Sequence, residues 1–149
     1  KGVKEALEKG VLLGYMMTDL KVTLYDGTFH DVDSSDMAFK IAGSIGMQEG
    51  AKKSGMSLLE PIMKLEVTVP EEFMGTIIGD LSSRRGKVQG TEKRGQSVII
   101  SGFAPLAELS GYVTTVRSLT QGRGIPYMEP AHYEEVPQSV VQKLLSERI

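Results

Sequence analysis

The chain has 149 residues, of which 24% are charged and 40% hydrophobic, and its formal net charge is −2. This is ordinary globular composition, and the length accommodates one medium-sized domain or two small ones. The absence of cysteine excludes disulfides, thiolate zinc sites and a cysteine nucleophile, and the absence of an apolar run near ~20 residues argues against a membrane span.

Residues 1–60 predict an α/β region with one strand. The apolar spacing of residues 2–9 favours a helix that ends at Gly10. The alternating segment that follows predicts a strand, whose apolar face consists of Leu20, Val22 and Leu24. The "DSSD" of residues 33–36 resembles a capping box, with Asp33 as cap and Asp36 in the first turn of a helix of about five turns. One strand cannot close a sheet, so we expect the C-terminal part of a larger α/β unit.

Residues 61–149 predict a second domain, and Pro61 marks the junction because the residue before a proline disfavours helix. Alternating and helical spacings give the order β-α-β-β-α-β over residues 62–133, followed by a short helix. This order is typical of a ferredoxin-like antiparallel sheet with two helices on one face. Pro126 and Pro130 fall in the last strand, where they remove ladder donors, so this strand should lie at an edge or contain a break. The predicted class is therefore α+β, a ferredoxin-like domain preceded by a partial α/β domain.

The loop "LYDGTFHDVDSSD" (residues 24–36) is polar but contains an aromatic residue and a histidine. A metal site would use its four aspartates, but their spacing does not match a calcium-binding EF-hand loop. A catalytic site would use His30 oriented by Asp31, but a turn tip rarely forms a pocket. An outward contact would place Phe29 and His30 against RNA bases or phosphates. On the residues alone we favour a fourth interpretation, an ordinary exposed histidine with Phe29 packed under the turn.

Basic residues are concentrated in the second domain. Residues 84–123 contain seven basic and two acidic residues, which gives this segment a net charge of +5. Such a patch is able to face phosphates, although solvated loop charges would give the same count. The basic residues are Arg84, Arg85, Lys87, Lys93, Arg94, Arg117 and Arg123.

Two short segments carry most of these charges. "RSLTQGRG" (residues 117–124) offers Arg117, Ser118, Gln121 and Arg123 as donors for phosphates and base edges. The alternative is C-capping of a helix by Gly122 or Gly124, and the two roles are compatible. "SSRRGKV" (residues 82–88) offers Arg84, Arg85 and Lys87 as further phosphate contacts, with helix capping as the stronger alternative.

No phosphate loop of the form GxxxxGK followed by serine or threonine occurs in the chain, so we expect no nucleotide hydrolysis and no catalytic residue in these 149 residues. Long collinear stretches nevertheless identify a family. These are "DGTFHDVDSSDMAFKIAGS", "LLEPIMKLEVTVPEEFMGTIIGDLSSRRGKVQG", "PLAELSGYVTTVRSLTQGRG" and "HYEEVP". Together they resemble the C-terminal region of bacterial translation elongation factor G.

The resemblance implies a fold for each half. Residues 1–60 would be the later part of domain IV, similar to a ribosomal-protein S5 domain, and residues 61–149 would be the ferredoxin-like domain V with a C-terminal helix. The family is a ribosome-dependent GTPase that drives tRNA and mRNA movement in the cytoplasm. GTP and magnesium would bind an N-terminal domain outside these residues, and no metal or cofactor is expected within them.

The resemblance also implies the partners. Phe29, His30 and Asp31 would form the tip that reaches the tRNA–mRNA helix in the decoding region. Arg117, Ser118 and Gln121 would contact the sarcin–ricin loop of large-subunit RNA, and Arg84, Arg85, Lys87 and Arg123 would face rRNA phosphates. The protein would act as a monomer, without a membrane.

Some positions depart from the family pattern, such as Ser110 where a bulky apolar residue is common. A paralogue that acts mainly in ribosome recycling therefore remains open. An alternative from another class is a free-standing ferredoxin-like domain that binds a small regulatory ligand.

Overall fold

The computed structural model describes residues 1–147. The chain divides into two compact units, which are described separately below. The first consists of residues 1–58 together with the helix that begins at Gln138, and the second consists of residues 59–137. The sequence placed the boundary at residue 60 and assigned the last helix to the second domain; by contact, that helix groups with residues 1–58.

Three helices form the regular structure of the first unit: α1 (Gly2–Lys9), α2 (Asp36–Ser54) and the C-terminal helix Gln138–Ser146. Helix α1 ends at Gly10, which has a φ of 66°. Helix α2 is capped at its N-terminus by Ser35, whose hydroxyl accepts the Ala38 N–H at 3.1 Å. The expectation that Asp33 caps this helix is therefore wrong by two residues, whereas Asp36 does occupy the first turn.

Helices α1 and α2 pack closely because small residues line their contact. A Cβ on Gly2 would collide with the Lys40 backbone carbonyl, so the crossing requires glycine at this position. A Cβ on Gly43 would lie 3.7 Å from the Val3 side chain, an ordinary packing distance. Lys40 and Glu5 form an ion pair of 2.7 Å beside this crossing, and the hydrogen bond from Lys40 lowers the pKa of Glu5.

The predicted strand around residues 20–24 does not form. These residues have no regular secondary structure, and Val22 and Leu24 are exposed. An isolated strand cannot satisfy its backbone groups, and within residues 1–147 the only sheet belongs to the second unit. The alternation of apolar and polar residues is therefore not enough to form a strand here, because no neighbouring strand within the described residues pairs with this segment.

The second unit has the order β-α-β-β-α-β, which confirms the predicted fold class. Its four strands form one antiparallel sheet in the order β2-β3-β1-β4. Two short 3-10 turns, Glu71–Phe73 and Leu106–Leu109, precede the helices. The elements are β1 (Leu59–Pro70), α3 (Met74–Ser83), β2 (Lys87–Arg94), β3 (Ser97–Pro105), α4 (Tyr112–Leu119) and β4 (Ile125–Glu135), and the C-terminal helix of the first unit is therefore α5.

One face of this sheet forms the core with α3 and α4. Alternate residues of β1 are buried, and they contact the buried faces of both helices. Each such side chain contributes about 1.5–3 kcal/mol through burial. The core includes Leu65, Val67 and Val69 of β1, Ile100 of β3, Ile77 and Leu81 of α3, and Tyr112 and Val116 of α4.

The prolines of β4 lie where the sequence predicted. Strand β4 is an edge strand that pairs with β1 alone, with Pro126 opposite Val67 and Pro130 opposite Met63. The pairing shifts register beside Pro130, so the strand also contains the expected irregularity. Pro61, at the predicted junction, lies close to the division between the two units and inside β1. It is beyond the part of β1 that pairs with β3, so β1 needs no donor on that side.

Candidate nucleic-acid interface

The basic cluster of residues 84–123 is largely neutralised in three dimensions. Within residues 1–147, six of its seven cations lie within ion-pair distance of a carboxylate, and most of these acids come from outside the cluster. The pairs are Arg84–Asp80, Arg85–Glu60 and Arg85–Glu108, Lys87–Glu134, Lys93–Glu71, Arg94–Glu92 and Arg123–Glu72. Arg117 has no such partner in the described part of the chain, so its charge remains available to an external anion.

Arg117 lies in the last turn of α4, which leads into an exposed loop. The helix is closed by the Gly122 N–H, which donates to the Arg117 carbonyl at 2.7 Å. Gln121 has a φ of 53° and Gly122 a φ of 80°, so two successive residues adopt the left-handed backbone conformation. The side chains of Arg117, Ser118 and Gln121 are all exposed. Gly122 therefore closes the helix, and the three side chains remain exposed; their contact with RNA stays a prediction.

Thr120, which the sequence analysis did not single out, fixes this loop from the inside. Its side chain is fully buried, with 0% exposure. The hydroxyl donates to the Val116 carbonyl at 2.7 Å and accepts the Gly124 N–H at 2.7 Å. The sequence does contain a signal for the burial of Thr120, because this residue follows Tyr112 and Val116 at intervals of four residues, and all three lie on the buried face.

Arg123 fixes the same loop from the outside. Its Nη2 donates to Glu72 Oε1 at 2.6 Å, and its guanidinium lies 4.8 Å from the centre of the Phe73 ring. Both partners belong to the connection between β1 and α3. Arg123 and the exposed Lys87, which lies 3.8 Å from Glu134, retain donors that face solvent, and their contact with phosphate stays a prediction.

Arg84 connects the two helices of the second unit. Its three guanidinium nitrogens donate to Asp80 at 3.0 Å, to the Glu108 carbonyl at 2.7 Å and to the Thr115 hydroxyl at 3.1 Å. Its guanidinium also lies 5.2 Å from the centre of the Tyr112 ring. These contacts leave it few donors for phosphate, so its predicted contact with rRNA remains without structural support.

Arg85 is similarly engaged at the end of β1. It makes a bidentate pair with Glu60, at 2.7 and 2.9 Å, and a third bond to Glu108 at 3.1 Å. The hydrogen bonds to Glu60 raise the pKa of Arg85. Its positive φ of 57° places it in the turn between α3 and β2. A phosphate contact by Arg85 also stays a prediction, and it would compete with these carboxylates.

The Tyr112 hydroxyl is buried and has no hydrogen-bond partner among residues 1–147. Burial raises the pKa of Tyr112, and the nearby Asp80 charge adds to this increase. A group whose protonated form is favoured in the folded state stabilises the fold below its unfolded pKa, which is about 10 for tyrosine. That contribution is lost as the pH rises through the folded pKa.

Tyr112→Phe should therefore raise the free energy of unfolding of the second unit by about 1 kcal/mol at neutral pH, because it removes an unsatisfied buried hydroxyl. It should also remove part of the loss of stability above about pH 10. Urea unfolding at about pH 7 and about pH 10.5, below and above that unfolded pKa, measures both effects through the amide signals of β1. Tyr25→Phe is the control, because Tyr25 is 95% exposed. A less stable Tyr112→Phe protein would show that the hydroxyl is satisfied.

The tip loop of the first unit forms a closed turn. The His30 N–H donates to the Ser34 hydroxyl at 2.8 Å, and the Ser34 N–H donates to the His30 carbonyl at 3.1 Å. Phe29, His30 and Asp31 are all exposed, and Phe29 is exposed to 72%. The interpretation that Phe29 packs under the turn is therefore wrong, since its ring faces solvent.

The catalytic and metal-site interpretations of this loop receive no support from the geometry of the described residues. The His30 ring makes no ion pair or hydrogen bond with residues 1–147, so no carboxylate orients it as a base. Across the same residues, no three metal-binding side chains of the His, Asp and Glu type come together.

None of the described helices is both long and apolar enough to cross a membrane.

Two family models match this chain, and they meet close to the boundary between residues 58 and 59, although the second model also includes residues 138–144 of the last helix. The model of elongation factor G domain IV matches residues 1–55, and the model of the elongation factor G C-terminus matches residues 57–144. A crystal structure of a protein from Thermus thermophilus is similar, with 40% sequence identity and a TM-score of 0.83. The similarity covers 99% of this chain and 22% of that protein, so the chain spans about a fifth of its length. The chain therefore belongs to the elongation factor G family, as a fragment with domain IV and C-terminal domain sequences.

Proposed function

We propose that this chain is the ribosome-contacting region of a cytoplasmic translational GTPase that promotes GTP-dependent translocation of tRNA and mRNA. Family membership supports a role in translation and a contact with the ribosome. GTP and magnesium would bind a GTPase domain outside these 149 residues. The chain would act as a monomer whose contribution is steric and electrostatic.

The observation that carries the proposal is the exposed, unpaired Arg117 at the end of α4. The other cations of its cluster are held by carboxylates within the described residues, so they are partly neutralised. An arginine fork donates two parallel hydrogen bonds to a phosphate, and Ser118 and Gln121 offer further donors beside it. We propose that these three side chains bind the sarcin–ricin loop of large-subunit RNA.

The tip loop would make the second contact. Phe29 provides a ring that can stack on a base, His30 provides a ring and a donor, and Asp31 provides an acceptor. The two hydrogen bonds between His30 and Ser34 hold the turn from within the chain. We propose that the tip enters the decoding region after the tRNAs have moved and blocks their return.

The first experiment is a binding measurement with the 149-residue chain and purified large ribosomal subunits. Arg117→Ala should weaken binding about tenfold, because a charge-assisted hydrogen bond contributes about 1.5–3 kcal/mol. Arg94→Ala is the matched control, because Arg94 is an equally charged, exposed arginine that is paired with Glu92 at the β2–β3 turn. The control should bind within about twofold of the wild type.

Equal losses in the two variants would mean that only net charge matters, and the assignment of Arg117 would be rejected. No binding by the wild-type chain would reject a ribosome contact by these residues alone.

A further inference from the structure

We propose that Thr120 is the positioning residue for the RNA-binding segment, and that its hydroxyl holds Arg117, Ser118 and Gln121 in the conformation that binds. This inference rests on the proposed function, since it concerns the same segment. Thr120 itself is fully buried and would not touch RNA.

The geometry of the Thr120 hydroxyl supports this assignment. It uses both hydrogen-bonding capacities within the fold, as a donor to Val116 in α4 and as an acceptor from Gly124 just before β4. The hydroxyl therefore connects the last turn of α4 to the start of the next strand. The exposed loop between these two points has its ends tied to one buried atom.

The position of Gly124 shows how closely this connection is packed. A Cβ at this residue would lie 2.7 Å from the Thr120 hydroxyl oxygen and 2.8 Å from a Val116 methyl group. Both distances are below those that real Cβ atoms adopt, so the backbone can approach Thr120 only because residue 124 is glycine. Thr120 and Gly124 therefore act as a pair.

The loop needs such a restraint because its backbone is unfavourable. Gln121 has a φ of 53°, which is uncommon for a residue with a side chain, and Gly122 follows with a φ of 80°. Strained residues of this kind persist only when their surroundings hold them, and they are frequent at binding sites. Thr120 precedes Gln121 directly, and the Arg123 contacts with Glu72 and Phe73 hold the other side.

The binding side chains have no other means of orientation within the described structure. The side chains of Arg117, Ser118 and Gln121 form no hydrogen bond or ion pair with residues 1–147. Their directions therefore follow from the backbone, which is held by the backbone bonds of the helix end, by the Thr120 hydroxyl and by the Arg123 side chain. Loss of the hydroxyl should release the loop and loosen the last turn of α4, which carries Arg117 and is bonded to the loop through Gly122. The rest of α4 should remain in the core through Tyr112 and Val116.

Thr120→Val tests this inference, because valine keeps the shape of the side chain and removes the hydroxyl. We expect the variant chain to bind large ribosomal subunits about tenfold more weakly. We also expect a smaller slope of the logarithm of the binding constant against the logarithm of the salt concentration, because a loosened last turn of α4 that no longer presents Arg117 neutralises fewer phosphates. Thr120→Ser restores the hydroxyl and should recover both the affinity and the slope to within about twofold.

A control separates positioning from simple loss of stability. Ile77→Val shortens a buried side chain of α3, away from the loop, and should leave the affinity and the salt slope unchanged at a temperature where all variants are folded. If the amide spectrum shows that Thr120→Val is not folded, Gly124→Ala takes its place, since its Cβ would separate the loop from the Thr120 hydroxyl. That variant should show the same two losses.

The outcomes distinguish this inference from the proposed function. Loss of binding in Arg117→Ala but wild-type affinity and slope in Thr120→Val would overturn the positioning role alone. Equal losses in Thr120→Val and Thr120→Ser would also overturn it, because the hydroxyl would then not be the cause. A wild-type chain that does not bind, or an Arg117→Ala chain that binds normally, would overturn the proposed function on which the inference rests.

Discussion

Arg84→Met should lower the free energy of unfolding of the second unit by about 3 kcal/mol, one of the largest effects that we expect from an exchange outside the apolar core. Arg84 is mostly buried and contributes all three of its guanidinium nitrogens to hydrogen bonds. Methionine keeps much of the aliphatic packing over Tyr112 but leaves the Asp80 carboxylate without its cation. It also leaves the Glu108 carbonyl without its donor, and a partly buried acceptor without a partner costs stability.

Urea unfolding at neutral pH, followed by amide signals of β1, measures this loss. Arg94→Met is the matched control, because the Arg94–Glu92 pair is exposed and such pairs contribute about 0–1 kcal/mol. Similar small changes in both variants would show that the Arg84 contacts do not stabilise the fold. If the loss is confirmed, the double variant with Asp80→Asn should recover part of it, since no uncompensated charge would then remain.

The arrangement of the second unit could be predicted from sequence because each element carries its own local signal. The buried stripe of β1 alternates, α3 has helical spacing, and the glycine at residue 95 marks the β2–β3 turn with a φ of 62°. The prolines of β4 further predicted an edge strand. These signals agree with one another, so the order of elements follows from periodicity and turn chemistry.

The first unit was less predictable because its signals depend on partners elsewhere. The alternation around Val22 is typical of a strand, but a strand forms only when another strand supplies its hydrogen bonds. The cap of α2 was misplaced because Asp33 and Ser35 are both good caps, and only the geometry shows that the Ser35 hydroxyl reaches Ala38.

The candidate site shows a different limit of sequence reasoning. A charge count along the chain gave a basic cluster, but ion pairs join residues that are far apart in sequence, such as Arg85 with Glu60 and Arg123 with Glu72. Only the fold separates Arg117 from the cations that are already paired. Donor chemistry and the resemblance to the family both suggested Arg117, Ser118 and Gln121 from the sequence, whereas the role proposed for Thr120 depends on its burial and hydrogen bonding in the fold.

His30→Ala should slow translocation about tenfold or more while leaving ribosome-stimulated GTP hydrolysis within about twofold of the unchanged protein. The His30 ring is exposed and makes no hydrogen bond or ion pair with residues 1–147, while its backbone forms the bonds that close the turn. Its removal should therefore leave the turn intact and affect an external partner. Stacking of one aromatic side chain on a base contributes about 1–3 kcal/mol, and about 1.4 kcal/mol corresponds to a tenfold change. GTP hydrolysis would take place on another domain, so it should not depend on this ring.

A chimera in which this chain replaces the corresponding region of an elongation factor G allows the measurement, with single-round translocation and GTP hydrolysis followed on the same ribosomes. His132→Ala is the matched control, because it removes the other histidine, whose ring is bound to Glu134 on β4 of the second unit. The control should translocate normally. If His30→Ala translocates at the rate of the control, the tip does not act through His30, and a role restricted to the α4 segment would be favoured. If both activities fall together, the loop serves ribosome binding in general, because a contact made only during movement would leave hydrolysis intact.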